Sequence, residues 1–258
     1  MINRSAVLAV VDVQNGFVRE ESAHVVPVIA DLVKRWQAVG GDVIFTRYLN
    51  YEGSIFQRLF AWSKLMTSPE VDIVPELQPY LSKATAVIDK TIYSLFNDEG
   101  QALVSQRGWT DIYVCGIATE SCVLKTAADA FERNLTPWVI EDASASHAGE
   151  MSHEAGLLVT ARFIGPRQFV KAAEADPRYP RHESESRTSD ENGRMDAALV
   201  ALTRAYQQAA TAVRGISDAQ EASHGAARLA ETIRGMSDSS ARVALETSTR
   251  GQKATERP

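Results

Sequence analysis

Short runs of apolar, β-branched residues recur along the first two thirds of the chain and predict strands. They cover residues 6–11, 42–46, 86–89, 112–115 and 136–140, with a weaker run at 168–170. Apolar side chains on both faces are typical of parallel strands buried between layers of helices. Helical spacing separates the runs, as at Val25, Ile29 and Trp36. This alternation predicts an α/β domain with a parallel sheet that helices cover on both faces.

The pattern changes after Pro180, so we assign residues 1–180 to the α/β domain. Residues 181–193 are polar and predict a disordered linker. Residues 194–258 predict a helical tail, part of which can be disordered, because apolar residues recur at helical spacing from Met195 to Ile216. A second apolar stripe, at 226–236, is out of register with the first. The sequence therefore leaves open whether the tail forms one long helix or two shorter ones.

Composition limits the class of protein. The chain has 258 residues, of which 45% are hydrophobic and 23% charged, as expected for a soluble globular protein. A net charge of -6 and the lack of any Lys/Arg-rich run argue against nucleic-acid binding. The apolar run at 6–11 is too short for a signal peptide or a membrane span, so we expect a cytoplasmic protein without a membrane partner. Two cysteines are too few for a disulfide framework, and we expect reduced thiols.

Two charged residues follow predicted strands directly. Asp12 closes the first strand and Lys90 the third. Ligand crevices in open α/β sheets lie beyond the carboxyl ends of the strands, so both side chains are candidates for a site there. Simpler interpretations remain open, because Asp12 can cap a helix or lie in a loop. Lys90 can be a solvated residue paired with Asp89 at the surface.

Cys122 lies where the fourth strand passes through a glycine turn into a helix predicted to begin near Glu120. In the first turn of a helix, the dipole and free backbone N–H groups favour a thiolate and can hold an oxyanion. Burial as a small hydrophobic residue is the alternative, and it fits Cys115 better. Together, a carboxylate, an ammonium and a thiol form a complete nucleophile set.

Four segments resemble the motifs of the isochorismatase-like cysteine hydrolase family. They are Asp12-Val-Gln-Asn-Gly-Phe17, Lys90-Thr-Ile-Tyr-Ser-Leu-Phe96, Gly116-Ile-Ala-Thr-Glu-Ser-Cys-Val123 and Glu141-Asp-Ala-Ser-Ala145. Their order and spacing match the family over roughly residues 5–173.

The resemblance implies a Rossmann-like three-layer sandwich with a six-stranded parallel sheet, to which the C-terminal helical extension is added. It also implies that Asp12 is the base, Lys90 the activating cation and Cys122 the nucleophile. A cis peptide is expected between Ile117 and Ala118, which would turn the Ala118 N–H toward the oxyanion beside that of Cys122.

The resemblance also narrows the chemistry. Family members named for isochorismate hydrolysis lack the cysteine, so Cys122 favours cleavage of a small amide or ureide through an acyl-enzyme. The nicotinamidase branch carries a metal-binding histidine after the second strand, and residues 45–50 contain none. We therefore expect no metal and no cofactor.

Candidate substrate contacts follow from position. Phe17 and Tyr93 flank Asp12 and Lys90, whereas Arg47, Asn50 and Trp62 belong to an aromatic-rich segment that resembles a substrate-covering loop. Its aromatic residues can equally pack a helix onto the sheet.

Two other functions remain open. One is hydrolysis of a different small-molecule bond, and the other is a binding or assembly role through the helical tail. The expected partners are a small-molecule substrate and further copies of the chain, because the resemblance favours a homo-oligomer.

Overall fold

Six parallel strands form one sheet in the computed structural model, which describes residues 6–178. The strands are β1 (Ala6–Val11), β2 (Asp42–Tyr48), β3 (Ala86–Lys90), β4 (Asp111–Ile117), β5 (Thr136–Ala145) and β6 (Phe169–Val170). Their order across the sheet is β3-β2-β1-β4-β5-β6. The expected six-stranded parallel sheet is confirmed. The predicted linker at 181–193 and helical tail at 194–258 lie outside the described residues.

Helices connect the strands and cover both faces of the sheet. They are α1 (Val25–Ala38), α2 (Ile55–Phe60), α3 (Gln78–Leu81), α4 (Asp98–Arg107), α5 (Leu124–Glu132) and α6 (Glu150–Ile164). A π-helical turn, Thr119–Val123, precedes α5, and a short 3-10 turn, Ala172–Glu174, follows β6. No helix within residues 6–178 is long and apolar enough to cross a membrane.

Successive side chains of each strand point to opposite faces of the sheet, and each face is covered by an apolar core. In β1, Leu8 and Val10 join the core that α1 covers, while Val7 and Ala9 join the core beneath α4, α5 and α6. A strand buried on both faces must be apolar throughout, which explains the uninterrupted run. Cys115 packs fully buried in the first of these cores, as its position in an apolar strand predicts.

The sheet is irregular where β4 and β5 pass the end of β1. The pairing of β4 with β5 shifts in register between Val114 and Gly116. Gly116 has φ +123, and a Cβ there would lie 2.1 Å from Val11 O, so only glycine fits. Strand β5 continues through this irregularity to Ala145, five residues beyond the predicted end. The carboxyl ends of β1, β4 and β5 therefore meet at one edge.

Candidate active site

Lys90 contacts both of the other predicted catalytic residues, Asp12 and Cys122. It ends β3, two strands away from β1, and its long side chain reaches back across the end of β2. Its Nζ donates to Asp12 Oδ2 at 2.6 Å and to the carbonyl oxygens of Ile92 and Tyr93 at 3.0 and 2.9 Å. The same atom lies 3.7 Å from Cys122 Sγ. An ammonium has three protons, so the three oxygen acceptors of Asp12, Ile92 and Tyr93 use its full donor capacity.

The charge of Lys90 is maintained despite its burial. Burial opposes the ammonium form, but the Asp12 carboxylate and Cys122 outweigh it, and the pKa of Lys90 is raised. The side chains of Lys90 and Asp12 are both fully buried. The site therefore holds a permanent positive charge between a carboxylate and a sulfur.

Asp12 is fixed by its own backbone and by β2. Its φ of +51 places it in the left-handed region, which aspartate tolerates better than most residues. Thr46 Oγ1 donates to Asp12 Oδ1 at 2.6 Å and accepts from Asp12 N at 3.2 Å. Gln14 also links the segment after β1 to the end of β2. Its Oε1 accepts from Tyr48 N, and its Nε2 donates to the carbonyl oxygens of Tyr48 and Val71. These bonds explain why an aspartate and a glutamine occur two residues apart after β1.

Cys122 lies in the π-helical turn Thr119–Val123, which runs directly into α5. The helical segment thus begins close to the predicted start near Glu120, but its first turn is π-helical and not α-helical. The N–H groups of Ser121 and Val123 both donate to Ala118 O. The peptide between Ile117 and Ala118 is cis. The turn brings Ala118, Ser121 and Cys122 to the wall of one cavity.

The protonation state of Cys122 differs from the sequence-based expectation of a stabilised thiolate. Burial raises the pKa of the Cys122 thiol, and the Asp12 carboxylate raises it further against the opposing effect of Lys90. The thiol therefore keeps its proton at neutral pH. The Asp12 carboxylate, which helps to raise this pKa, is the candidate acceptor for that proton.

A cavity of about 350 Å³ opens above Cys122. Its wall is largely aromatic, formed by Phe17, Tyr48, Phe56, Phe60, Trp62 and Tyr93. Phe17 stacks on Trp62 with ring centroids 6.0 Å apart, and Tyr48 contacts Phe56 edge-on at 5.2 Å. Flat apolar walls suit a small planar ligand.

Three of the five predicted substrate contacts line this cavity, namely Phe17, Trp62 and Tyr93. Arg47 does not, because its guanidinium binds both oxygens of Asp89 on the neighbouring strand, at 2.7 and 2.8 Å. The Asp89 hydrogen bond is the main reason that the pKa of Arg47 is raised.

Asn50 does not line the cavity either. Its Nδ2 donates to the carbonyl oxygens of Trp62 and Lys64 at 3.0 and 3.1 Å, and its Oδ1 accepts from Ser54 Oγ at 2.6 Å. Every polar atom of the amide is thereby engaged. Asn50 positions the segment that carries α2 and Trp62, and the prediction that it contacts substrate is wrong.

Six lining residues were not predicted from the sequence: Tyr48, Phe56, Phe60, Glu120, Ser121 and His147. Three of them carry buried polar atoms that lack a hydrogen-bond partner within the described chain, which are Tyr48 Oη, Glu120 Oε2 and His147 Nδ1. The position of His147, two residues after β5, was the available signal, since strand ends border the crevice.

Residues at the end of β2 do not form a metal site. The hydroxyl of Thr46 is engaged by Asp12, and Asn50 is engaged by the α2 segment. Across residues 6–178, no group of three or more His, Cys, Asp and Glu side chains is placed to hold a metal ion.

Known proteins share this arrangement of strands and helices. A family model described as isochorismatase domain matches residues 5–167. Nicotinamidase 3 of Arabidopsis thaliana is 26% identical over 164 residues, which are 60% of this chain and 80% of that protein. The uncharacterized isochorismatase family protein YwoC of Bacillus subtilis (strain 168) is 29% identical over 167 residues, 62% of this chain and 85% of that protein. N-carbamoylsarcosine amidase from Thermoplasma acidophilum shares the fold, with a TM-score of 0.57 at 21% identity over 66% of this chain and 98% of that chain.

Proposed function

This chain belongs to the isochorismatase family of hydrolases, and on that basis we propose that it cleaves a C–N bond of a small amide or ureide through a cysteine acyl-enzyme. The observation that carries the proposal is the position of Lys90 Nζ, 2.6 Å from Asp12 Oδ2 and 3.7 Å from Cys122 Sγ. A nucleophile and a proton acceptor that both contact one cation beside a cavity form a set suited to acyl transfer.

In the first half-reaction, Asp12 takes the Cys122 proton as the sulfur attacks the carbonyl carbon of the substrate. A carbon–sulfur bond forms, and the carbonyl electron pair moves onto oxygen. The N–H groups of Ala118 and Cys122 receive this oxyanion. The electron pair then returns, the carbon–nitrogen bond breaks, and Asp12 gives its proton to the leaving nitrogen.

In the second half-reaction, water attacks the thioester and loses a proton to Asp12. Collapse of this second tetrahedral species breaks the carbon–sulfur bond, and the sulfur recovers the proton. Lys90 stays an ammonium throughout and offsets the negative charge that moves between Asp12 and Cys122. A resting thiol suits this sequence, because proton transfer and attack are then coupled in one step.

The cavity supports a small substrate with a flat body. Its volume of about 350 Å³ and its aromatic walls favour a planar acyl group over a long or branched one. The relative Nicotinamidase 3 is named for an aromatic amide. A small planar amide is accordingly the first substrate class to test.

The test is ammonia release from a panel of small amides and ureides at neutral pH. Wild-type protein should turn over at least one planar member, and Cys122→Ala should abolish that activity while circular dichroism shows an intact fold. Cys115→Ala is the matched control, because that thiol is buried in the opposite core and should leave activity unchanged. Equal activity of the Cys122→Ala protein would exclude the cysteine mechanism.

A further inference from the structure

Glu120 lines the cavity, and one of its two carboxylate oxygens has no partner within the described residues. Its Oε1 accepts a hydrogen bond from Ser146 Oγ at 2.7 Å, but its Oε2 is buried and has none within the described residues. Buried acceptors are almost always satisfied, so this oxygen needs a donor from outside the described residues, either a ligand or an ordered water. The proposed mechanism does not use Glu120.

The backbone of Glu120 is held firmly. It belongs to the Thr119–Val123 turn, against which α6 packs so closely that a Cβ at Gly156 would lie 2.7 Å from Glu120 N. Thr119 is also bonded to His153, Oγ1 to Nδ1, at 2.8 Å. The packed backbone and the Ser146 hydrogen bond therefore hold the Glu120 carboxylate in place beside the cavity.

The remaining charges around the cavity do not neutralise Glu120. No Lys or Arg is among the cavity-lining residues of the described chain. Arg47 is bonded to Asp89, and Lys90 is bonded to Asp12. Burial lowers the pKa of His147 and so favours its neutral form, although Glu120 opposes this effect. Among the lining residues of the described chain, Glu120 therefore carries the full charge, while Arg19 lies close enough to His147 to lower its pKa further.

Tyr48 supplies a complementary group. It is buried, its hydroxyl has no partner in the described chain, and its ring lies 5.6 Å from Lys90 Nζ. Burial raises the pKa of Tyr48, so the phenol keeps its proton and can donate. The lining residues thus include a protonated phenol, whose ring lies near Lys90, and a carboxylate elsewhere on the wall.

We propose that Glu120 determines specificity, because its carboxylate favours neutral or positively charged planar amides and disfavours amides or ureido acids that carry a carboxylate. This inference rests on the proposed function for its substrates. It follows from the aromatic walls together with the Glu120 carboxylate, because an anion placed in the cavity meets like charge and no Lys or Arg is among the described lining residues.

The experiment measures binding of three non-amide probes of similar size to the full-length protein at neutral pH: benzylamine, benzyl alcohol and benzoate. Calorimetry should show that benzylamine binds most tightly and benzoate most weakly, with dissociation constants at least about tenfold apart. In the Glu120→Gln variant, the dissociation constants of benzylamine and benzoate should lie within about threefold of each other. Gln keeps the shape and can still accept from Ser146. Glu132→Gln removes the same charge twelve residues further along the chain, outside the cavity-lining residues, and the ranking should persist.

Glu120→Asp keeps the charge and should preserve the ranking, which separates charge from loss of structure. Benzoate binding as tightly as benzylamine would overturn the inference. So would a ranking that survives Glu120→Gln, or no benzylamine binding at millimolar concentration. None of these probes needs Cys122 chemistry, so this inference can fail while ammonia release still succeeds. The reverse result, ranked binding without ammonia release, would reject the proposed hydrolysis alone.

Discussion

Lys90 Nζ lies 2.6 Å from Asp12 Oδ2, and neither side chain is exposed to solvent. Transfer of both charges from water costs much of what their attraction returns, so such a pair is not retained for stability alone. Here the cation also lies 3.7 Å from Cys122 Sγ. The pair is best understood as part of the reaction machinery, with a consequence for folding that can be measured.

Removal of one charge should destabilise the fold more than removal of both. Lys90→Met leaves Asp12 buried without its partner and should lower the free energy of unfolding by about 3–5 kcal/mol. Asp12→Asn leaves Lys90 in the same position, and asparagine also tolerates the positive φ. The double variant should be more stable than either single one. Urea denaturation of all four proteins measures this, and purely additive losses would contradict the coupling.

The reactivity of Cys122 should rise only at alkaline pH. Its pKa is raised by burial and by Asp12, so the thiolate forms above the ordinary range of about 8.5. In a Cys115→Ala background, the midpoint of iodoacetamide alkylation should move down in Asp12→Asn, which removes a negative charge. It should move up in Lys90→Met, which removes a positive one. Fast alkylation of the Cys115→Ala protein at neutral pH would show a resting thiolate instead.

Gly156→Ala tests the packing behind the nucleophile turn. Alanine in a helix is ordinarily favoured over glycine by about 1 kcal/mol. Here the added Cβ would lie 2.7 Å from Glu120 N and 3.0 Å from Thr119 C, both backbone atoms that cannot move independently. Thermal unfolding should show a loss of about 1–3 kcal/mol, and turnover should fall with it. A stabilised variant would mean that propensity outweighs the clash.

Trp62 and Arg47 should respond differently to substitution. Trp62→Ala removes a cavity wall that stacks on Phe17, and should raise KM for a planar amide. Arg47→Gln breaks a partly exposed ion pair with Asp89, which is worth about 0–1 kcal/mol, and should leave KM unchanged. Steady-state kinetics of the two variants give the comparison. A KM effect at Arg47 equal to that at Trp62 would contradict the assignment of the walls.

Position at strand ends allowed much of the site to be predicted. Asp12, Lys90 and Cys122 follow β1, β3 and β4, and parallel strands deliver their carboxyl ends to one edge of the sheet. Alternation along β2 could also have excluded Arg47. Thr46 and Tyr48 face the site, so the residue between them must face away.

Other features had no local signal. The π-helical turn at Thr119–Val123 packs against α6, and this long-range contact cannot be predicted from the residues of the turn alone. Polar residues Glu141 and Asp142 mark an apparent end to β5, yet the strand resumes beyond the register shift. The state of the Cys122 proton depends on burial and on two charges distant in sequence. A helix-start pattern therefore predicted a thiolate where the fold favours a thiol.

The most direct test of the account is mass spectrometry of protein quenched in acid during turnover of whichever panel amide releases ammonia. The peptide containing Cys122 should gain the mass of the substrate acyl group, equal to the amide less ammonia. The Cys115 peptide should remain unmodified, and Cys122→Ala protein should gain nothing. Undiminished turnover by Cys122→Ala, or an acyl group carried on another residue, would contradict the central claim that Cys122 is the nucleophile.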